Sequence, residues 1–328
     1  MHKNLEKIAK IAARGKSILN GIVGDKIQNT ALAIKMNFYE KNKVLDLEKE
    51  SLVAFNGVNN PKNSAKICIF IHGLTENETT WTFKEGMDYG SLLNQDFDIV
   101  PFYLRYNTGL HISENGQTLA ALIEKLLQNY PIPIQEISII AHSMGGLLTH
   151  SACHYAQDLD LEWVSKVKNV FLLATPHLGS FLEKFANLTT NILEKIPNFP
   201  TRLVGKAINL RSAGIKDLRY GYIKTSDWAE KDPDVLFENN KTTAQKLPEN
   251  VSYYLISARM TEAEKHWVSL LLGDMLVSTS SAISRSKSEH ELRFPEANHY
   301  EFAKTFHFEL TRAPKVYEKI SHWLAPPQ

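Results

Sequence analysis

Residues 136–146 read Glu-Ile-Ser-Ile-Ile-Ala-His-Ser-Met-Gly-Gly, an apolar β-branched run that stops at a serine flanked by small residues. Ile137, Ile139 and Ile140 have the profile of a strand buried on both faces. Gly145, Gly146, Leu147 and Leu148 have that of the first turns of a packed helix. Between them stands Ser143. A serine on a strained strand-to-helix turn needs small residues two places before and two places after it, so that its hydroxyl projects from the sheet edge. Ala141 and Gly145 fill those places, alanine departing from the strict glycine while keeping the close approach of helix to strand. The reading is a nucleophile elbow.

Outward from the elbow, residues 65–71 (A-K-I-C-I-F-I) form a second buried run that leads directly into His72-Gly73-Leu74-Thr75. A nucleophile attacking an acyl carbon needs backbone N–H groups prepositioned for the oxyanion, and one usually leaves the carboxyl end of a central strand. Leu74 N–H and Met144 N–H are the expected donors, with His72 bracing the loop. Further strands are expected over 96–107, 169–176 and 251–260, with a helix over 116–130 and a closing helix over 312–324. Strands and helices alternating at these spacings predict an α/β fold, a mostly parallel sheet with crossover helices on both faces and ligands at the strands' carboxyl ends.

Two segments break the alternation. Residues 181–250 carry helical stripes interrupted by prolines, with no convincing buried strand, and read as an inserted helical cap whose apolar faces suit acyl chains. Residues 1–50 read as a separate N-terminal amphipathic helical segment ahead of a main domain at 51–328. Its stripe of Leu5, Ile8, Ile11, Ile18, Leu19 and Ile22 beside Lys3, Lys7, Lys10, Arg14 and Lys16 fits docking on the domain, with peripheral contact to anionic lipid, through this helix or the cap, as the alternative. Gly15-Lys16-Ser17 is not a phosphate loop, because neither the earlier glycine nor a preceding strand is present.

The chain has 328 residues, 43% hydrophobic and 22% charged, with a net charge of +1, which suits a large single core and gives no global electrostatic case for nucleic acid. Cys68 and Cys153 read as small core hydrophobes. The start lacks a signal-peptide core and no apolar run approaches membrane-spanning length, so a cytoplasmic protein is expected.

These pieces together resemble the α/β-hydrolase lipases, especially the bacterial triacylglycerol lipase and GPI inositol-deacylase types of esterase. The matching segments are His72-Gly73-Leu74, A-H-S-M-G-G at 141–146, T-P-H-L-G-S at 175–180, G-D-M-L-V at 273–277 and Asn298-His299. The resemblance implies the α/β-hydrolase fold and a serine esterase or lipase, with Asp274 as the acid and His299 as the base completing a triad with Ser143, in the chain order such enzymes use. Asp274 also follows the 251–258 strand, whereas Asp158 and Asp160 precede the next strand and Asp217 to Asp234 belong to the cap. His299 is expected on a loop beyond a strand ending near Pro295.

The same parts serve thioesters, phospholipids or acyl transfer, and a non-catalytic binding protein of this fold is the alternative from another class. The structural calcium of several such lipases would need an acidic pair, of which Glu301 stands near one place while no acidic partner follows Val251, so no metal and no cofactor are expected. The expected partner is a small-molecule or lipid ester.

Overall fold

The computed structural model describes residues 2–83, 87–176, 212–229, 250–259 and 298–325. Among them, eight strands form one sheet: β1 (Asn37–Glu40), β2 (Lys43–Val44), β3 (Lys66–Ile71), β4 (Val100–Arg105), β5 (Glu136–His142), β6 (Val167–Leu173), β7 (Ser252–Arg259) and β8 (His299–Ala303). Their spatial order is β2-β1-β4-β3-β5-β6-β7-β8. From β4 to β8 every neighbouring pair is parallel, and β1 joins β4 antiparallel. This is the mostly parallel α/β-hydrolase sheet expected from the sequence.

The apolar runs form central strands because both of their faces are covered. Ile67, Ile69 and Ile71 of β3, with Ile137, Ile139 and Ala141 of β5, enter one core with helices α2 (Lys49–Asn59), α4 (Ile112–Asn129), α5 (Met144–Asp158) and α6 (Trp163–Lys166). The alternate residues Cys68, Phe70 and Ile140 enter a second core with α3 (Tyr89–Phe97) and the closing helix α8 (Pro314–Leu324). Side chains alternate across a strand, so a run apolar at every position is what two buried faces require. Each such Ile or Phe contributes about 2–3 kcal/mol by burial. Cys68 and Cys153 fall in different cores, buried and free.

Two boundaries differ from the sequence reading. β1 and β2 lie within residues 1–50 yet extend the sheet, so the main domain's strands begin at Asn37 and not beyond residue 51. The last strand begins at His299 and ends at Ala303, whereas the sequence reading ended it near Pro295, a residue outside those described. Both misplaced elements are at sheet edges. Only Phe38 of β1 and Phe302 of β8 are buried, so neither strand has an apolar run to read.

Helix α1 (His2–Ile27) docks through its second half. Asn77 Nδ2 donates to Ser17 Oγ at 3.4 Å, Asn107 Nδ2 donates to Gly24 O at 3.1 Å, and Ser212 Oγ donates to Gly21 O at 2.7 Å. These partners stand beyond the carboxyl ends of β3 and β4 and at the start of the described cap residues, so the helix lies over the functional end of the sheet. No helix among the described residues is long and apolar enough to cross a membrane.

Of the segment read as a cap, 181–211 and 230–249 lie outside the described residues. The described part forms α7 (Ala213–Tyr220), which pins the start of α4. Asp217, 1% exposed, accepts from Ile112 N–H at 2.7 Å and from His111 Nδ1 at 3.0 Å, and the His111 ring stacks on Trp228 with centroids 3.6 Å apart. His111 is thus structural. Asp217→Ala strips a buried carboxylate from a helix N-terminus and a histidine at once, and is expected to lower stability by about 2–4 kcal/mol in urea denaturation.

Candidate active site

At the carboxyl end of β5 the chain makes the strained turn its sequence predicts. Ser143 adopts φ 53°, ψ −120°, a conformation costly for a residue with a Cβ, and is 5% exposed. The turn is held on both sides: Ser143 N–H donates to Leu173 O at 2.8 Å and Gly146 N–H donates to Ser143 O at 3.0 Å. The glycines after the serine are required by space. A Cβ on Gly145 would stand 2.5 Å from the Ile71 carbonyl oxygen, and one on Gly146 would stand 2.0 Å from Thr175 Oγ1. Helix α5 therefore begins wedged between the ends of β3 and β6, with Ser143 at its N-terminus.

Both expected oxyanion donors lie at this point. Met144 N–H belongs to the first turn of α5, where backbone donors have no intrahelical acceptor and the helix dipole favours negative charge. Leu74 lies on the loop leaving β3, between two fixed peptides: Gly73 N–H donates to Glu76 Oε2 at 2.7 Å and Thr75 N–H donates to Thr108 Oγ1 at 3.2 Å. A Cβ on Gly73 would stand 3.1 Å from Ser143 Cβ, which measures how closely this loop approaches the serine. His72 braces the loop from beneath. Its Nδ1–H donates to Gly73 O at 2.9 Å, its ring stacks on Tyr106 at 4.5 Å, and burial brings its pKa down to about 4, so it is neutral.

The expected base is not brought to the serine. His299 is the first residue of β8, in register with Leu255 of β7, and its Nε2 lies 3.1 Å from Ser257 Oγ. β8 is three strand positions from β5, about 14 Å at the usual spacing near 4.8 Å. A base must come within about 3 Å of the hydroxyl it serves. The loop that follows β8 carries a different histidine back across the sheet end. The chain turns at Lys304, with φ 51°, and Thr305 N–H donates to Arg259 O at 3.1 Å. The 3-10 turn His307–Glu309 then sets the ring of His307 4.6 Å from that of His142, the residue before the serine. His307 is 4% exposed and its carbonyl accepts from His142 Nε2 at 3.2 Å. The sequence reading passed over His307. Its signal was the placement Phe306-His307-Phe308 on the short link into a helix opened by Pro314, beyond the last strand and not within it.

Asp274, the expected acid, lies outside the described residues. An apolar cluster lies beside the serine turn: Leu74, Ile112, Met144 and Leu147 pack with Ile215, Leu218 and Ile223 of the segment read as a cap, and Phe308 packs against them. Among the described residues, no three His, Cys, Asp or Glu side chains come together as ligands for a metal ion.

Residues 61–211 match a family model described as "Putative serine esterase (DUF676)". No curated protein sequence matches. Among solved structures the chain is similar to the mature form of a lipase from Bacillus licheniformis, at 17% identity and TM-score 0.48 over 80% of this chain and 92% of that one. It is similar also to a lipase-esterase related protein from Clostridium acetobutylicum, at 16% identity and TM-score 0.41 over 81% and 97% of the two chains. An esterase from Pyrococcus furiosus gives 16% identity and TM-score 0.42 over 80% of each chain. The similarity to the serine-esterase family model thus falls on residues 61–211, the part of the chain that carries β3 to β6 and the strained Ser143 turn after β5.

Proposed function

We propose that this protein is a serine hydrolase that cleaves carboxylic esters with apolar acyl groups through an acyl-enzyme, with Ser143 as nucleophile and His307 as base. The observation that carries the reading is the strained Ser143 turn with the post-β8 loop folded back beside it. In the proposed cycle, His307 takes the hydroxyl proton as Ser143 attacks the ester carbonyl, and Leu74 and Met144 N–H groups receive the developing oxyanion. His307 then protonates the leaving alcohol, and water repeats the sequence to release the acid. The cluster of Leu74, Met144, Ile215, Leu218 and Phe308 supports an apolar acyl group over a charged one. Thioester hydrolysis and acyl transfer use the same parts and are separated by acceptor and leaving group alone.

Asp274 is proposed as the acid that accepts the second ring N–H of the base. Its support is its place in the chain, after β7 and before β8. Asp274→Asn is expected to lower kcat on the order of 10⁴ with folding retained, while Asp232→Asn stays within about tenfold. Near-full turnover by Asp274→Asn would move the acid elsewhere. The reading as a whole is tested by fluorophosphonate labelling with peptide mapping, together with turnover of p-nitrophenyl esters of increasing chain length. Labelling at Ser143 and a preference for acyl chains longer than acetate are expected, and an unlabelled protein with no esterase activity would leave the fold as a binding scaffold.

A further inference from the structure

One carboxylate ties together the three loops on which the proposed mechanism depends. Glu76 stands on the loop after β3, and its Oε2 accepts both Gly73 N–H at 2.7 Å and His142 Nδ1–H at 2.8 Å. Its Oε1 accepts from Thr80 Oγ1 at 3.0 Å, and Thr80 Oγ1 lies 3.4 Å from Thr311 Oγ1, just beyond the 3-10 turn that carries His307. On its other side His142 Nε2 lies 3.2 Å from the His307 carbonyl oxygen. The His142 side chain is fully buried and the Glu76 side chain is 10% exposed, so the pair is shielded from solvent, where a charge-assisted bond is strongest.

We propose that Glu76 and His142 are a positioning pair: the Glu76 carboxylate fixes the peptides that present Leu74 N–H, and holds the His142 ring against the backbone of His307, beside Ser143. Neither residue touches the reacting atoms. Burial alone would raise the Glu76 carboxyl, but the charge and hydrogen bond of His142, with the Gly73 N–H, outweigh it and bring its pKa down to about 2. The carboxylate is therefore ionised across the working range. The cost of losing the pair is misplacement of both the oxyanion donors and the base, and an error of about 1 Å at such groups costs on the order of 10²-fold in rate.

This inference rests on the reading of Ser143 and His307 given above, and the test separates the two. Active sites are first counted by fluorophosphonate labelling of the wild type, Glu76→Gln, His142→Gln and the double variant. kcat and KM for p-nitrophenyl butyrate are then measured per labelled site. Glu76→Gln keeps an acceptor of the same shape and removes the charge. It is expected to lower kcat per site by about 30–100-fold with KM changed by less than about threefold, where mere loss of folded protein would lower the site count and leave kcat per site unchanged. His142→Gln, which removes the ring between Glu76 and the His307 backbone, should lose a similar factor, and the double variant should be no worse than the poorer single, since the two act as one unit. Glu76→Gln within about threefold of wild type per labelled site, or losses that multiply in the double variant, would overturn the pairing. Should Glu76→Gln yield no folded protein, His142→Gln decides by the same threshold. A wild type that is not labelled at Ser143 would instead remove the underlying reading.

Discussion

Ser143→Ala is expected to lose esterase turnover by a factor on the order of 10⁶ and to take up no fluorophosphonate, because a serine nucleophile acts as one unit with its base and its removal costs about as much as removing the whole triad. Folding should be retained. The hydroxyl is not what holds the turn, which is fixed by the backbone bonds of Ser143 to Leu173 and Gly146 and by the close fit of Gly145 and Gly146. Alanine keeps the Cβ at the same positive φ and adds no new strain. Far-ultraviolet circular dichroism and a thermal midpoint within a few degrees of wild type would confirm that the loss is chemical. Labelling that survives the substitution would sink Ser143 as nucleophile, and with it the acyl-enzyme.

The second large effect separates two histidines eight positions apart in the chain. His307→Ala is expected to lower kcat on the order of 10⁴–10⁶. His299→Ala should hold kcat within about tenfold, and the loss of its bond to Ser257 alone costs about 1 kcal/mol of stability. The difference follows from position: His299 belongs to an edge strand three places from β5, while the loop after that strand returns over the sheet end to His142. The assay is single-turnover acylation by a p-nitrophenyl ester, which isolates the step the base serves. If His299→Ala is the dead variant and His307→Ala the active one, the base belongs where the motif alone put it, and the loop geometry is irrelevant to the chemistry.

The two networks around the elbow explain why these substitutions should remain local. Arg105 pairs with Glu78, Nε to Oε2 at 2.6 Å, and lies over the Tyr39 ring at 3.9 Å, so the end of β4 is clamped to the 3-10 turn after the oxyanion loop. Tyr106 donates to the His72 carbonyl at 2.9 Å and supports the same loop from below. Neither network includes Ser143 or the His307 side chain. Replacing the side chain of Ser143 or His307 therefore leaves the proposed oxyanion donors where they are, which is the condition for reading a loss of kcat as chemistry.

What the sequence determined is what short-range rules govern. The continuous apolar runs of β3, β5 and β6 announce strands buried on both faces, and each strand ends within one residue of its run. Ala141, Gly145 and Gly146 mark a turn that only small neighbours permit, so the strained strand-to-helix turn at Ser143 is legible from the spacing of a few residues. The loop that carries Leu74 is legible because the buried run of β3 ends shortly before it, at Ile71. The edge of the sheet was not. In β8 only Phe302 is buried, so Asn298-His299-Tyr300-Glu301 carries no period that distinguishes a strand from the loop before it, and the local pattern places His299 on a loop. Which histidine lies on the loop is a matter of tertiary structure, because only the pairing of β8 with β7 fixes where the strand starts and which histidine its exit carries back. The Glu76–His142 pair is of the same kind: its partners are 66 residues apart, on strand ends that become neighbours only when β3 and β5 pair in parallel, and no local pattern records a contact that the sheet itself creates.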